Sequence, residues 1–338
     1  MSKARLLTLW LAYTVTLCRP MPATAQSIVP HLVSVRFADR NHGWTAGADG
    51  LYYTRDGGRT WQRQQAVVSK LQPTEGRFPS GFGLALRSGV ITWADQSSAV
   101  VLSDGGYLTG TASGAWVEHP PPRGVRLGDV LYFVNPLDGW AMDCHFAHRT
   151  TDGGSHWYIT NHDPWARCMG PGFLPLSSEE VWIGGDHGRI AHTRDGGKTW
   201  AWQRVQGMDG GAVAFAFLKP FGWMLGSTGT RNCFFISRDG GRHWQRQRIP
   251  PDPPLTAISF ADRKEGWLVG WQLREDSEGT VLHTGDGGKN WTGQASGLSE
   301  FLLGVQAMGN GEAWAVGHKG TLLHTTNQGK TWDKVKVR

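Results

Sequence analysis

Acidic residues are the first candidates for chemistry in this chain. Asp95, Asp143, Asp163, Asp186 and Asp276 fall in segments that read as loops, and glycoside hydrolysis needs two carboxylates about 5 to 10 Å apart across a cleft. Their spacing singles out no pair, and loops are rich in aspartate for reasons of turn geometry alone. Asp143-Cys144-His145 with His148, and Asp186-His187, are of metal-ligand type. No spacing among them brings three or four donors together, so no metal site is expected. The chain has neither a haem-attaching CxxCH nor a phosphate-binding glycine loop, and no cofactor is expected.

The acid that recurs most regularly is a different one. DGGRTW at Asp56 to Trp61 returns as DGGSHW from Asp152, DGGKTW from Asp195, DGGRHW from Asp239, DGGKNW from Asp286 and NQGKTW from Asn327. A decayed copy keeps Ser103-Asp104-Gly105-Gly106, with its tryptophan displaced to Trp116. Spacings of 48, 48, 43, 44, 47 and 41 residues define one unit of about 45, the period expected of propeller blades. A catalytic acid is not needed six times at equal spacing. Asp56, Asp152, Asp195, Asp239 and Asp286 are therefore read as structural: glycine accepts positive φ in a tight turn, and the aspartate bonds backbone N–H groups across it.

Upstream of each box stands another tryptophan, at Trp44, Trp93, Trp140, Trp182, Trp223, Trp267 and Trp314. The two marks account for fourteen of the 18 tryptophans, so the composition follows from seven repeats. Each unit divides into four short strands. In the first, HLVSVRFAD (31–39) is strand A, HGWTAG strand B, LYYTRD strand C and TWQRQQ strand D. The strand A equivalents, GFGLALRSG (81–89) in unit two among them, are apolar on both faces, as innermost strands between neighbouring blades must be. The expected fold is all-β, a seven-bladed β-propeller of four-stranded antiparallel blades with Asp-box turns. The last unit carries its own strand D in TWDKVKV, which argues against ring closure by strand exchange.

The N-terminus reads as an address. Lys3 and Arg5 precede LLTLWLAYTVTL, and Ala23-Thr24-Ala25 supplies a cleavage site, so residues 1–25 are read as a signal peptide and 26–338 as a single propeller domain. Val15-Thr16-Leu17 lacks the small residue that lipidation at Cys18 would call for. Removing this segment lowers the formal charge from +6 to +3 and leaves Cys144, Cys168 and Cys233. Cys144 and Cys168 fall in neighbouring loops of one face: a disulfide between them is one reading, three free thiols the other, and Cys233 is expected unpaired. The mature chain is expected in the periplasm, the medium or a lumen.

The pattern SxDGGxTW resembles the Asp-box, or BNR, repeat of sialidases, xyloglucanases and the sortilin group. The longer unit, seen in SFADRKEGWLVG with GTVLHTGDGGKNW and in VWIGGDHGRIAHTRDGGKTW, more closely resembles the photosystem II stability and assembly factor family, over residues 31–337. That resemblance implies a non-enzymatic lumenal or periplasmic propeller that holds a membrane-protein assembly intermediate. The sequence departs from the pattern in unit two, in GSTGTRNC of unit five and in WQLREDSEG of unit six. A sialidase would need an arginine triad and a tyrosine nucleophile; Tyr132 is the one tyrosine on an innermost strand, and no arginine signature accompanies it.

Propeller geometry puts the D–A and B–C loops on one face and the A–B and C–D turns on the other. The first face is assigned Asp95 and His119, among others, together with Arg123, Arg126, Arg167, Arg189 and Arg231, the five chosen as partner-binding. The box face carries Arg55, Arg59, Arg194, Lys198, Arg238, Arg242, Lys289 and Lys330. Such a basic ring suits anionic lipid headgroups or an acidic segment of a partner, or merely solvates the turns. The partner expected is a protein, with a membrane protein on the periplasmic or lumenal side as the class indicated, bound by a monomer. Nucleic acid is not expected of an exported chain without stacked aromatics on a basic stripe. The competing reading is a secreted glycoside hydrolase using loop-face acids.

Overall fold

The computed structural model describes residues 32–47, 50–65, 67, 71, 90–103, 106–121, 130–142, 146–160, 172–228, 231–249, 254–271, 279–294 and 300–337. Their strands, β1 to β28 in chain order, form seven four-stranded sheets, each from four consecutive antiparallel strands. The innermost strands are β1 (Leu32–Phe37), β5 (Ile91–Ala94), β9 (Val130–Phe133), β13 (Phe173–Pro175), β17 (Ala212–Leu218), β21 (Leu255–Phe260) and β25 (Leu302–Gly309). Each touches the next around the ring, and β25 returns to β1.

Blade one shows the plan. β2 (Gly43–Gly47) and β3 (Gly50–Thr54) are buried along their whole length, whereas the two residues of β4 (Gln62–Arg63) are exposed. A strand packed on both faces must be apolar or small on both, which GWTAG and GLYYT satisfy. The second-strand tryptophans Trp44, Trp140, Trp182, Trp223, Trp267 and Trp314 are at most 1% exposed, and they supply much of the area that holds neighbouring blades together. Trp314 stacks on Phe37 of blade one at 5.0 Å and meets its box tryptophan, Trp61, edge-on at 6.0 Å. Trp182 repeats this with Phe217 and Trp244, as Trp140 does with Trp200.

The box turns are built alike six times. Gly58 N–H donates to Thr54 Oγ1 at 2.9 Å, Thr54 Oγ1 donates to Asp56 Oδ1 at 2.8 Å, and Thr60 donates its N–H to Oδ1 and its hydroxyl to Oδ2. Thr193-Asp195-Thr199, Ser237-Asp239-His243 and Thr284-Asp286-Asn290 repeat the arrangement. Thr150-Asp152-His156 does too, and Asn327 stands in for the acid in the last copy. Both glycines have positive φ, 69° and 81° at Gly57 and Gly58. Each box is tied to the A–B loop of its own blade, Gly57 N–H to Asn41 O at 2.9 Å and Gly196 N–H to Glu179 O at 3.0 Å, so these turns share a face.

Blade two departs from the sequence register. Trp93, assigned to a second strand behind GFGLALRSG, lies on innermost β5, and residues 81–89 lie outside the described residues. The Ser103–Gly106 connection joins β6 (Ser98–Ser103) to β7 (Gly106–Thr111), one strand earlier than a box. Tyr107 replaces the missing second-strand tryptophan: its ring lies tilted against Phe133 at 5.0 Å and it donates its hydroxyl to Gly153 O at 2.9 Å, as Trp223 Nε1 donates to Gly287 O. Trp116, opening β8 (Trp116–His119), meets Trp44 edge-on at 5.8 Å, so the contact between blades survives the loss of the box.

The seventh sheet is β25, β26 (Glu312–Gly317), β27 (Thr321–Thr325) and β28 (Asp333–Lys334), all from the C-terminal unit. Closure therefore needs no exchanged strand. It is made by the Phe37–Trp314 stack and by Gln306, whose amide accepts from Phe37 N–H at 2.5 Å and donates to Phe37 O at 3.0 Å.

Candidate functional site

Two concentric requirements position the loops. The outer turns are fixed by the boxes; the inner ends are fixed by side chains that reach sideways to the next blade. Arg36 Nη1 donates to Thr92 O at 3.2 Å, and Ser259 Oγ accepts from Ala307 N–H at 3.0 Å. Together with Gln306 these link blades one to two, six to seven and seven to one.

On the face away from the boxes, the connection from blade four to blade five folds over the B–C loop of blade four. Gly188 N–H donates to Gly210 O at 2.8 Å and Val205 N–H to Gly188 O at 2.7 Å. At this seam β15 (Arg189–Thr193) pairs with β16 (Ala201–Arg204), and the register sets Arg189 directly opposite Arg204. The Val205–Gly188 bond flanks a non-hydrogen-bonded pair, the kind whose Cα atoms approach to about 4.5 Å and whose side chains lie closest. Like charges so placed repel, and both side chains are exposed, with no carboxylate in ion-pair contact with either among the described residues. Arg231 opens β19 (Arg231–Ser237) of blade five, also exposed. Arg246, on β20 (Gln245–Gln247), reaches back over Gly207 of the connection, its Nη1 3.6 Å from where a β-carbon there would stand. Three of these arginines thus border the connection, which also carries Asp209, and Arg231 opens a strand of the neighbouring blade five.

Of the five arginines chosen from sequence, Arg189 and Arg231 stand on this seam, while Arg123, Arg126 and Arg167 lie outside the described residues, as do Cys144, Cys168, Cys18 and the segment 1–25. Arg204 and Arg246 were missed because each sits on an outer strand, not in a loop; the C–D pairing register was the signal that would have found Arg204. Cys233 is buried as a free thiol, and burial pushes its pKa up to about 11.

One residue assigned to this face belongs elsewhere. Asp95 caps its own turn, accepting from Ser97 and Ser98 N–H, while its carbonyl accepts from Trp44 Nε1. The adjacent Gln96 donates to Asp39 of the A–B loop of blade one, which places this turn beside the box face. His119 lies on β8, stacked on Tyr107 at 4.8 Å and sharing a 2.8 Å hydrogen bond with Thr109, and burial lowers its pKa.

The box face is not uniformly basic. Its A–B loops bring Asp39, Asp138, Glu179, Asp262 and Glu265 among the lysines and arginines. Some of the cations are already engaged: Arg194 donates to Gly240 O at 2.8 Å and, with Lys219, meets Glu180, while Arg149 donates to Gly196 O at 3.1 Å over the Trp140 ring. The recurring histidines are packing groups. His192 and His324 stack on Trp182 and Trp314 at 4.4 and 3.9 Å, and His283 lies tilted against Trp267. No three metal-ligating side chains converge among the described residues.

Comparison with known proteins agrees with the repeat. The family model described as photosynthesis system II assembly factor YCF48 matches residues 202–292 and 242–338, and the BNR/Asp-box repeat matches 52–63. A photosystem II assembly protein Ycf48 of Synechococcus sp. is 36% identical over 128 residues, 36% of this chain and 35% of that protein. The photosystem II assembly lipoprotein Ycf48 of Nostoc sp. is 33% identical over 195 residues, 53% of this chain and 50% of that one. The matched segments thus span half or less of these relatives' lengths. Among solved structures, a YCF48 bound to D1 peptide superposes with a TM-score of 0.60 at 16% identity, covering 88% of this chain and 94% of that one. A xyloglucanase of Xanthomonas campestris superposes at 0.59 with 13% identity, covering 91% and 55%, a likeness of fold alone. The chain is an Asp-box repeat propeller similar to the Ycf48 photosystem II assembly factors.

Proposed function

We propose that this chain is an exported, non-enzymatic propeller that holds a protein partner on the face where blades four and five meet. The observation that carries the reading is the exposed, like-charged Arg189–Arg204 pair with Arg231 and Arg246 beside it. A cluster that repels itself in the free protein is relieved by an acidic partner, which gives recognition and speeds encounter. Relatives named photosystem II assembly proteins, and a similar propeller with a bound D1 peptide, support a protein as that partner. The basic, apolar N-terminal stretch and the lipoprotein names of relatives support export. In this reading Arg123, Arg126 and Arg167, chosen from the sequence alone, also serve the partner, a membrane protein emerging on the periplasmic or lumenal side is the partner class, and the protomer acts alone.

The test is affinity capture of tagged chain from gently solubilised native envelopes, with an Arg189→Glu/Arg204→Glu variant beside it. A membrane protein retained by the native chain and lost from the folded variant supports the reading. Identical capture by both removes the seam from it. Captures empty in both turn attention to polysaccharide hydrolysis.

A further inference from the structure

Among the described residues, the large apolar side chains that stand exposed all belong to two adjacent blades: Val117 of blade two, and Leu137, Tyr158 and Ile159 of blade three, 45% to 58% exposed. Strand alternation turns two of them toward each other. Trp116 meets Trp44 of blade one, so the next residue, Val117, points to the opposite side, toward blade three. His119, two places on, shares that side: it stacks on Tyr107, which donates to Gly153 O of blade three. In blade three, β11 (Ala147–Thr150) pairs with β12 (Tyr158–Ile159) and sets Tyr158 opposite Arg149, whose guanidinium donates to Gly196 O of blade four. Directly opposed residues share a side of the sheet, so Tyr158 faces blade four and Ile159 points back toward blade two. Val117 and Ile159, both on outermost strands, thus flank the outer end of one gap between blades. Leu137 stands on the box side of blade three, its carbonyl accepting from Gly153 N–H at 2.9 Å.

The edge beside them is open. The outermost strands β4, β8, β16, β20, β24 (Thr292–Gln294) and β28 each carry a charged or amide side chain, whereas β12 is Tyr-Ile. Polar side chains, charged ones above all, keep a sheet edge from adding a strand, and β12 lacks that protection. Thr160 N–H donates to Ala147 O at 2.8 Å, so the backbone groups of Tyr158 and Thr160 turn inward and those of Ile159 turn out of the sheet. No strand among the described residues meets them there. The surroundings are acidic: across residues 90–103, 106–121, 130–142 and 146–160 the charged side chains are Asp95, Glu118, Asp138, Asp152 and a single cation, Arg149, in a chain of formal charge +6. Glu118 adjoins Val117, Asp138 adjoins Leu137, and Asp152 lies in the box before β12, while Arg149 is engaged by Gly196 O.

Area and charge select the occupant. Four half-exposed side chains offer a few hundred Å² at most, the size of a single functional patch, against about 800 Å² per partner in a stable dimer. A second copy is therefore too large a partner for too small a surface, and it would set the same acids against one another. A short strand with cations of its own meets both conditions. We propose that the rim between blades two and three docks an extended segment of another protein, apolar at alternate positions with lysine or arginine beside them. Its backbone pairs with Ile159 N–H and C=O, its apolar side chains cover Val117, Tyr158 and Ile159, and its cations meet Glu118 and Asp152. This surface lies apart from the blade four to five seam and does not fail with it.

Calorimetric titration of the full chain at low ionic strength tests it. The probe is the capped peptide KVTVTVK, with KSTSTSK and EVTVTVE as controls for its apolar and its charged side chains. Saturable binding of KVTVTVK should fall about tenfold or more in Tyr158→Thr/Ile159→Thr, the loss expected when two half-exposed apolar side chains are no longer covered. Threonine keeps the strand and both positions are exposed, so this variant should fold. Glu118→Gln should weaken binding by a smaller factor, and both control peptides should bind more weakly than KVTVTVK. No saturable binding by the native chain, or equal binding by the double variant, overturns the proposal. Two other occupants would overturn it as well: self-association of the native chain in sedimentation equilibrium that the double variant abolishes would put a second copy on the rim, and cosedimentation with phosphatidylcholine vesicles lost in that variant would put a lipid surface there. The Arg189→Glu/Arg204→Glu variant should bind KVTVTVK like the native chain.

Discussion

Replacing Gln306 by leucine tests how the ring is held closed. The substitution keeps the volume on β25 and deletes both bonds to blade one, the 2.5 Å acceptance from Phe37 N–H and the 3.0 Å donation to Phe37 O. A made hydrogen bond contributes about 1 kcal/mol net, while a buried group left without its partner costs about 1–3 kcal/mol. The seam is only part-buried, so water recovers some of this and a total loss of about 2 kcal/mol is expected. The effect should be local, because the Phe37–Trp314 stack and the apolar cluster around Leu32, Trp61, Trp314 and Leu322 remain. Amide hydrogen exchange reads it directly: the Phe37 amide should exchange about thirtyfold faster in Gln306→Leu, and the amides of blade four should not change. Gln306→Glu keeps the acceptor for Phe37 N–H but sets a carboxylate against Phe37 O, and should accelerate exchange less at Phe37 N–H than leucine does. Unaltered Phe37 exchange in Gln306→Leu would show that ring closure rests on apolar packing alone.

Three further outcomes follow from the turns. Thr193→Val removes the hydroxyl that accepts Gly197 N–H and donates to Asp195; urea unfolding should show a loss of about 1–2 kcal/mol, and Thr193→Ser should restore most of it. Gly241→Ala demands a β-carbon at φ +84° and drives it into the Trp182 ring, so a loss of about 2 kcal/mol or more, or failure to fold, is expected in the same assay. Acid should act in two stages. Burial lowers the pKa of His192 and His283, so the folded state prefers them neutral and stability declines as pH falls below about 6.5. Asp152 and Asp195 are held at about 2, chiefly by bonds from His156 and Thr199. They titrate near 4 when unfolded, so their stabilisation is present above about pH 4 and is lost between about 4 and 2. A flat midpoint of thermal unfolding from pH 7 to 3 would contradict both assignments.

Repetition explains which parts of the structure were legible in the sequence. Blade number, strand order and box positions are written six or seven times, and a residue type that recurs at one position, such as the threonine or serine two places before each box aspartate, reveals its job by recurring. Blade two was misaligned by one strand for the same reason: with its box lost, Trp93 took the register of the other tryptophans, although it sits on an inner strand and Tyr107 has taken over the contact with blade three. The loop face was legible only as a list of charges. Which of them meet depends on pairing registers such as Arg189 with Arg204, and on side chains that cross a seam, such as Arg246 over Gly207. The first needs the strand register within one unit, and the second is not encoded within a single unit.

The same logic says where in such a molecule function is to be sought. A residue that every unit repeats is explained by the needs of the unit: the aspartates by their turns, the paired tryptophans by the packing of neighbouring blades, the histidines at 192, 283 and 324 by the rings they lie against. A residue that no other unit repeats gets no such explanation, and if it is also electrostatically unfavourable in the free protein, the fold alone does not account for it. The Arg189–Arg204 pair on the loop face meets that description. The box-face cations do not: several bond carbonyls of the next turn or meet acids of the interleaved loops. The acidic partner proposed above is therefore to be sought at the blade four to five seam, while the box ring is accounted for by the construction of the ring itself.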